Sequence, residues 1–370
     1  MQWVRWAMTE ALQGRSFVFI NMDETTISQL KPADKGFVPA RQVQRAHGMI
    51  RRRTKPNKED VRTCLLGAVC DQPALQPHLP QVVLPSYSKH VRPPQAALQE
   101  YKNTGAPLEY WHDTNGWTSS NTITRWLTRM RSVVSTYNPL LWIVVVWDCA
   151  SVHLNEVVLR HARRLGMLVL FIPAGLTHQL QVLDVYIYAF FKRRIREHML
   201  RCQRLSERAQ LDRHGRIQSV GKAVHEAIVS VDCSDFFVRL GLSGGVDALR
   251  HEVFSLVCHA PIAPALPSRS QFAAMTGLAE HTARTQNVHS LVMQGWLQLR
   301  GQPLTAHPMA GAVAPLRHVE PAGSRVSAFP ADSPMSWDDV RMARLRRRHA
   351  EQHPELPVGD QAVNAFLRDV

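Results

Sequence analysis

Residues 140–153, LLWIVVVWDCASVH, are the part of the sequence that decides the fold. An unbroken apolar run from Leu140 to Trp147 is too short to cross a bilayer. Such a run is typical of a strand buried on both faces of an α/β sheet. Asp148 follows the run directly. The segment therefore predicts a central strand that delivers a carboxylate to one end of the sheet.

The segments on either side alternate between helix and strand patterns. Residues 119–137 repeat apolar side chains at helical spacing, and residues 154–165 form an amphipathic helix pattern that Gly166 closes. Residues 167–172, MLVLFI, predict another buried strand. Further strands are predicted earlier in the chain, at 16–22, 61–70 and 81–84. This alternation predicts an α/β fold with a mixed sheet flanked by helices.

Three aspartates stand at the ends of predicted elements. Asp23 follows the first strand, Asp148 follows the apolar strand, and Asp184 opens a long predicted helix. Strand ends can bring distant carboxylates together, and Mg²⁺ requires such hard oxygen ligands. Divalent ions held in this way stabilise the charged oxygens of a phosphodiester under in-line attack. Each aspartate alone is more typical of a turn or a cap, so the prediction depends on the set.

The contexts of these acids resemble the DDE superfamily endonucleases, the catalytic domains of pogo, Tigger and jerky-type transposases and of centromere protein B. The family's strand–DE–T segment matches Asp23 to Thr25, and its D-x-x-x-x-H element matches Asp148 to His153. Its T-x-x-LQPLD segment and the following aromatic helix with FK match Thr177, Leu180, Gln181, Leu183, Asp184, Phe191 and Lys192. The resemblance covers about residues 15–245.

The resemblance implies an RNase H-like fold, Mg²⁺-dependent cleavage and strand transfer, and DNA as the substrate. It makes Asp23, Asp148 and Asp184 both the catalytic residues and the metal ligands, and Mn²⁺ would serve as a surrogate for Mg²⁺. The sequence departs from the family at Val182, where the family has Pro, and in the absence of a helix-turn-helix part before the first predicted strand. The alternatives are a domesticated, transposase-derived DNA-binding or chromatin protein without cleavage activity and, more remotely, an enzyme acting on RNA–DNA hybrids.

Three further residues are candidates for supporting roles near the aspartates. Glu24 is either an outer-shell partner of Asp23 or an exposed neighbour. His153 orients the Asp148 loop, touches substrate, or is a capping or packing histidine. Gln181 is expected to hydrogen-bond its own loop, with direct contact to substrate as the alternative.

The charge of the chain predicts a polyanionic partner. It has 44 Lys and Arg against 30 Asp and Glu, a formal net charge of +14. Lys192, Arg193 and Arg196 share one side of the predicted helix and either contact phosphates or form a solvated face. Two basic runs are also candidate DNA contacts: 41–58, which includes Arg51, Arg52 and Arg53, and 341–348, which could instead be a nuclear import signal. Trp111 and Trp117 either stack on bases or pack in the core.

The composition predicts three parts and a nuclear or otherwise intracellular, soluble protein. Residues 1–250 are interpreted as the catalytic domain, 251–335 as a partly disordered Pro/Ala/Gly-rich linker, and 336–370 as a basic tail. The N-terminus lacks a signal-peptide pattern, and none of the six cysteines forms a CxxC pair. We therefore expect DNA as partner, no membrane and no zinc site, with a homodimer as a candidate oligomeric state.

Overall fold

The computed structural model describes residues 2–27, 63–85, 108–111, 118–205, 213–243, 249–251, 253–254, 266–304, 306 and 308. All of them lie in the unit formed by residues 1–315. Several sequence predictions fall outside the described residues: Arg51, Arg52, Arg53, Trp117, the basic run 341–348 and the tail 336–370.

A six-stranded mixed sheet forms the centre of the molecule, with the strand order β4-β3-β2-β1-β5-β6. The strands are β1 (Phe17–Ile27), β2 (Thr63–Cys70), β3 (Gln81–Pro85), β4 (Leu108–Tyr110), β5 (Trp142–Trp147) and β6 (Met167–Phe171). β1 runs antiparallel to β2 and parallel to β5, which in turn is parallel to β6. The predicted α/β class is confirmed, and this sheet with its flanking helices is consistent with an RNase H-like fold.

β1 and β5 are adjacent interior strands of the sheet, and most of their side chains are buried. Every residue of β5 is buried, as the unbroken apolar run predicts. β1 is longer than the predicted 16–22, because its pairing with β2 continues to Ile27 opposite Thr63. Asp23 therefore lies within β1 rather than after it.

Nine helices are present among the described residues, several with short π-helical turns at their ends. They are α1 (Gln2–Trp6), α2 (Ser120–Tyr137), α3 (Glu156–Arg164), α4 (Thr177–Leu180), α5 (Tyr188–Leu205), α6 (Arg213–Val224), α7 (Ser234–Arg239), α8 (Arg269–Thr276) and α9 (Ala283–Gly301). Both helices next to β5 begin at a capping side chain: Ser119 accepts a hydrogen bond from the Thr122 amide, and Asn155 accepts one from the Val157 amide. In the described ranges, none of the helices has the length and apolar character needed to span a membrane.

Helices α8 and α9 correct the prediction of a linker over 251–335. The side chains of Val288, Val292, Trp296 and Leu299 recur at helical spacing and are all buried. The Trp296 indole donates a hydrogen bond to the Val169 carbonyl of β6 at 2.9 Å. The Pro/Ala/Gly-rich composition around these helices hid their apolar stripe, so the folded domain extends past residue 250.

Candidate active site

The strand register brings two of the aspartates to the same level of the sheet. In the parallel pair β1–β5, Asn21 lies opposite Val146. Asp23 and Asp148 each come two residues later, so they leave adjacent strands side by side. The pairing of two apolar strands therefore places Asp23 and Asp148 near each other, without any contact between the two acids being required.

Asp184 reaches the same edge on a π-helical turn, Leu183–Ile187, that leads into α5. The side chain of Asn21 accepts a hydrogen bond from the Leu183 amide at 3.0 Å and donates one to the Val146 carbonyl at 3.0 Å. Asn21 is fully buried, and sequence reasoning missed its role. The available signal was a single amide inside the otherwise apolar FVFINM.

Asp23 and Asp184 lie close enough to shift each other's pKa. Asp23 is 7% exposed, and its pKa is raised well above the usual value by burial and by the charges of Asp184 and Glu24. Asp184 is exposed, and its pKa is raised by burial and by Asp148, against the lowering effect of Lys192 and of a hydrogen bond with Asp23. The two carboxyl groups therefore lie close together and repel each other when both are ionised.

Asp148 is stabilised in the ionised form by its neighbours. One oxygen, Oδ1, accepts a hydrogen bond from the Ala150 amide at 3.1 Å and lies 2.6 Å from His153 Nδ1. Burial would raise the pKa of Asp148, but the hydrogen bond and positive charge of His153 lower it overall. The pKa shifts of Asp148 and Asp23 therefore run in opposite directions.

His153 joins Asp148 to Glu24 across the site. Its side chain is 0% exposed, it stacks on Trp147 with ring centroids 5.1 Å apart, and its Nε2 lies 3.5 Å from Glu24 Oε1. Burial would lower the pKa of His153, but the hydrogen bond to Asp148 and the negative charges of Glu24 and Asp148 raise it to about 10. The ring therefore carries a positive charge between two carboxylates, and Glu24 is partly buried rather than a fully exposed neighbour of Asp23.

The remaining candidate residues from the sequence differ in burial and in hydrogen bonding. Gln181 is fully buried, and within the described ranges neither polar atom of its amide has a hydrogen-bond partner, so the expected bond to its loop is not found there. Lys192 and Arg196 are exposed on α5, and Arg193 is partly exposed and 3.7 Å from Glu197. The opposite stripe of α5, Tyr188, Phe191 and Ile195, is buried, as its spacing predicts.

Trp111 packs inside the molecule. Its ring is 4% exposed, and the Arg125 guanidinium lies 4.1 Å from the ring centroid. Its indole N–H donates a hydrogen bond to Glu109 at 2.9 Å. A ring covered in this way has no free face, which favours core packing over stacking on bases.

The chemistry of the three aspartates fits a hard divalent cation. In the described part of the chain, no three His, Cys, Asp or Glu side chains are already arranged to hold a metal ion. The three carboxyl groups nevertheless lie close enough that the charges of Asp184 and Asp148 raise the pKa of Asp23, and the charge of Asp148 raises the pKa of Asp184. A cation would relieve this repulsion, and oxygen donors alone are the set that Mg²⁺ prefers.

The fold and the site together define an α/β domain with clustered carboxylates at one edge of its sheet. Residues 60–234 match the model of the DDE superfamily endonuclease family, which supports the superfamily that the motifs suggested. Asp148 and Asp184 lie inside the matched range, whereas Asp23 precedes it and enters the site through the strand register. Searches of curated proteins and of solved structures found no match.

Proposed function

We propose that this chain is a metal-dependent DNA endonuclease and strand transferase of the pogo/Tigger type, with Asp23, Asp148 and Asp184 as its metal ligands. The observation that carries the proposal is the meeting of these three acids, from two strands and a helix start, at one edge of the sheet. Acids so far apart in sequence meet only through the fold. If the three aspartates had only structural roles, there would be no reason to place carboxyl groups that repel one another at the same site.

In this proposal each carboxylate has a distinct part. Mg²⁺ held by the three aspartates would supply charge stabilisation for the attacking and leaving oxygens of the scissile phosphodiester. Among the described residues, both hydrogen bonds of the Asp148 carboxyl go to Oδ1, which leaves Oδ2 for a ligand. His153 fixes the orientation of that carboxyl, and Glu24 balances the charge of His153. Asp184 is exposed and would face the DNA backbone.

A domesticated DNA-binding or chromatin protein without cleavage activity is the second candidate. It would keep the fold and the basic surface without needing a cation at the aspartates. The retained acids and their convergence favour the nuclease. A nuclear location and a homodimer remain parts of the proposal that follow from the resemblance alone.

The first test is Mn²⁺ binding, measured by paramagnetic resonance with and without duplex DNA. We expect the wild-type protein to bind Mn²⁺, and Asp23→Asn and Asp184→Asn each to weaken that binding by tenfold or more, on the order of the loss of one charged ligand. Asp71→Asn is a matched control, because Asp71 is also partly buried but hydrogen-bonds the Phe19 amide at the other end of β1. Mn²⁺ affinity that is absent, or equal in all four proteins, would favour the non-cleaving DNA-binding protein.

The basic side of α5 is expected to contact the DNA backbone. Replacing Lys192, Arg193 and Arg196 together by Gln should weaken duplex binding and lower the slope of log affinity against log salt by about 2 to 3, roughly one for each lost phosphate contact. The measurement is a salt titration of binding anisotropy with a labelled duplex.

A charge-matched control separates this surface from the general charge of the protein. Three arginines of α3 and α9 are exposed and lie on helices that pack against each other rather than on α5: Arg160, Arg284 and Arg300. Their replacement by Gln removes the same charge and should change the slope by less than about one. Equal slopes for the two triple variants would exclude α5 from the interface.

A further inference from the structure

Two buried side chains tie the start of α5 to the strands beside it. Asn21, in β1, bonds the carbonyl of Val146 in β5 and the amide of Leu183 in the π-helical turn. Val146 lies two residues before Asp148, Leu183 one residue before Asp184, and Asn21 itself two residues before Asp23. The Asn21 side chain therefore links three backbone segments, each of which carries one of the three acids within two residues.

Tyr188 makes the second connection, one helical turn after Asp184. Its ring is buried, and its hydroxyl donates a hydrogen bond to the backbone carbonyl of Asp23 itself. A side chain from α5 thus contacts the peptide unit that carries the first acid, while the same segment carries the third.

Gly67 provides the space for this contact. It pairs with Asp23 across the β1–β2 ladder. A Cβ atom added at Gly67 would lie 2.9 Å from the Tyr188 hydroxyl oxygen and 3.3 Å from the nearest ring carbon. Even an alanine methyl would push the ring away from the Asp23 carbonyl, so the absence of a side chain at position 67 is part of the same arrangement.

We propose that Asn21 and Tyr188 are positioning residues that set the separation of Asp23 and Asp184, with Gly67 as the space that admits the tyrosine. The inference rests on the proposed function, since the separation of the two carboxyl groups matters only if they hold a common cation. Bonds to a backbone carbonyl and a backbone amide fix main-chain positions, so a change at either residue should move the carboxyl groups without altering their chemistry.

The test combines Tyr188→Phe with Mn²⁺ binding and single-turnover cleavage of duplex DNA. The variant keeps the ring and loses only the hydroxyl. We expect a Mn²⁺ affinity about tenfold lower than that of the wild type, a similar fall in the single-turnover rate constant, and an unchanged protein concentration for half-maximal rate. Tyr186→Phe is the matched control, because it removes a hydroxyl from the same turn on a ring that stacks on Phe236 rather than reaching Asp23, and it should leave all three values unchanged.

A double-mutant cycle tests the geometry without any metal. Gly67→Ala should destabilise the wild-type protein more than it destabilises Tyr188→Phe, because removal of the hydroxyl removes the 2.9 Å conflict. Urea unfolding of the four proteins measures this coupling. Equal destabilisation in both backgrounds would overturn the assigned contact.

The outcomes separate this inference from the proposed function. Mn²⁺ binding that is weakened by Asp23→Asn and by Tyr188→Phe, and not by Tyr186→Phe, supports it. Binding that is sensitive to Asp23→Asn and unaffected by Tyr188→Phe overturns the positioning role alone. Binding that is insensitive to Asp23→Asn overturns the proposed function and this inference with it.

Discussion

Asp148→Asn is expected to lower the rate of metal-dependent DNA nicking by about a thousandfold or more while leaving the fold unchanged. The loss corresponds to several kcal/mol of transition-state stabilisation, the usual contribution of a metal that is correctly held. The fold should survive because an asparagine Oδ1 can still accept the hydrogen bonds from the Ala150 amide and from His153. The measurement is nicking of supercoiled plasmid in Mg²⁺ under single-turnover conditions, with thermal unfolding by circular dichroism as the check on folding.

Asp232→Asn is the matched control for that experiment. Asp232 also accepts a backbone hydrogen bond two residues on, from the Ser234 amide at 2.9 Å, and it precedes α7 rather than the site. The same chemical change at the same kind of turn should leave nicking within about twofold of the wild type, because exposed substitutions have small effects. Cleavage by Asp148→Asn at the wild-type rate would remove Asp148 from the mechanism.

The parts of the fold that depend on local pattern were predictable from the sequence. β5 was predicted because an unbroken apolar run followed by an acid has few other interpretations, and α2 because a serine cap precedes a regular apolar stripe. The three aspartates were found through their sequence contexts, and the structure brings the same residues together. Their metal-binding role remains a prediction.

The features that were missed depend on contacts between residues distant in sequence. The extension of β1 past Asp23 follows from pairing with β2, which no local pattern in NMDETT encodes. The bond from Asn21 to Leu183 joins residues 162 positions apart. β4 has only three residues, too few for a periodic pattern to appear.

The linker prediction missed helix α9, although the sequence contains the apolar spacing that predicts a helix there. Its buried stripe has the spacing that defines an amphipathic helix, and Thr282 caps it by accepting a hydrogen bond from the Thr285 amide. The linker prediction relied on the Pro/Ala/Gly-rich composition and did not use the helical spacing of the apolar residues. The structural consequence is large: the Arg15 guanidinium, just before β1, donates hydrogen bonds to the carbonyls of Leu299 and Pro303 at the end of α9, at 2.9 Å each. The end of α9 is thus hydrogen-bonded to the residue that precedes the strand carrying Asp23.

His153→Leu is expected to lower the free energy of unfolding by about 2 to 3 kcal/mol and the Mn²⁺ affinity by tenfold to a hundredfold. Leucine can fill most of the space over Trp147, so the loss comes chiefly from two carboxylates left without their shared cationic partner. Both are partly exposed, which keeps the penalty below that of a fully buried ion pair. Affinity should fall because Asp148 loses the 2.6 Å hydrogen bond that orients it, the usual effect of removing such a partner.

The comparison with His161→Leu decides whether this effect belongs to the site. His161 Nε2 also forms a side-chain hydrogen bond, to the Thr128 hydroxyl at 2.7 Å, but it joins α2 to α3 and contacts no acid of the site. Its replacement should cost about 1 kcal/mol, the ordinary net value of one hydrogen bond, and leave Mn²⁺ affinity unchanged. Urea unfolding and paramagnetic resonance on both variants make the comparison. If His153→Leu and His161→Leu behave alike in both measurements, His153 is a packing histidine, and the orientation of Asp148 must come from its own turn, through the Ala150 amide.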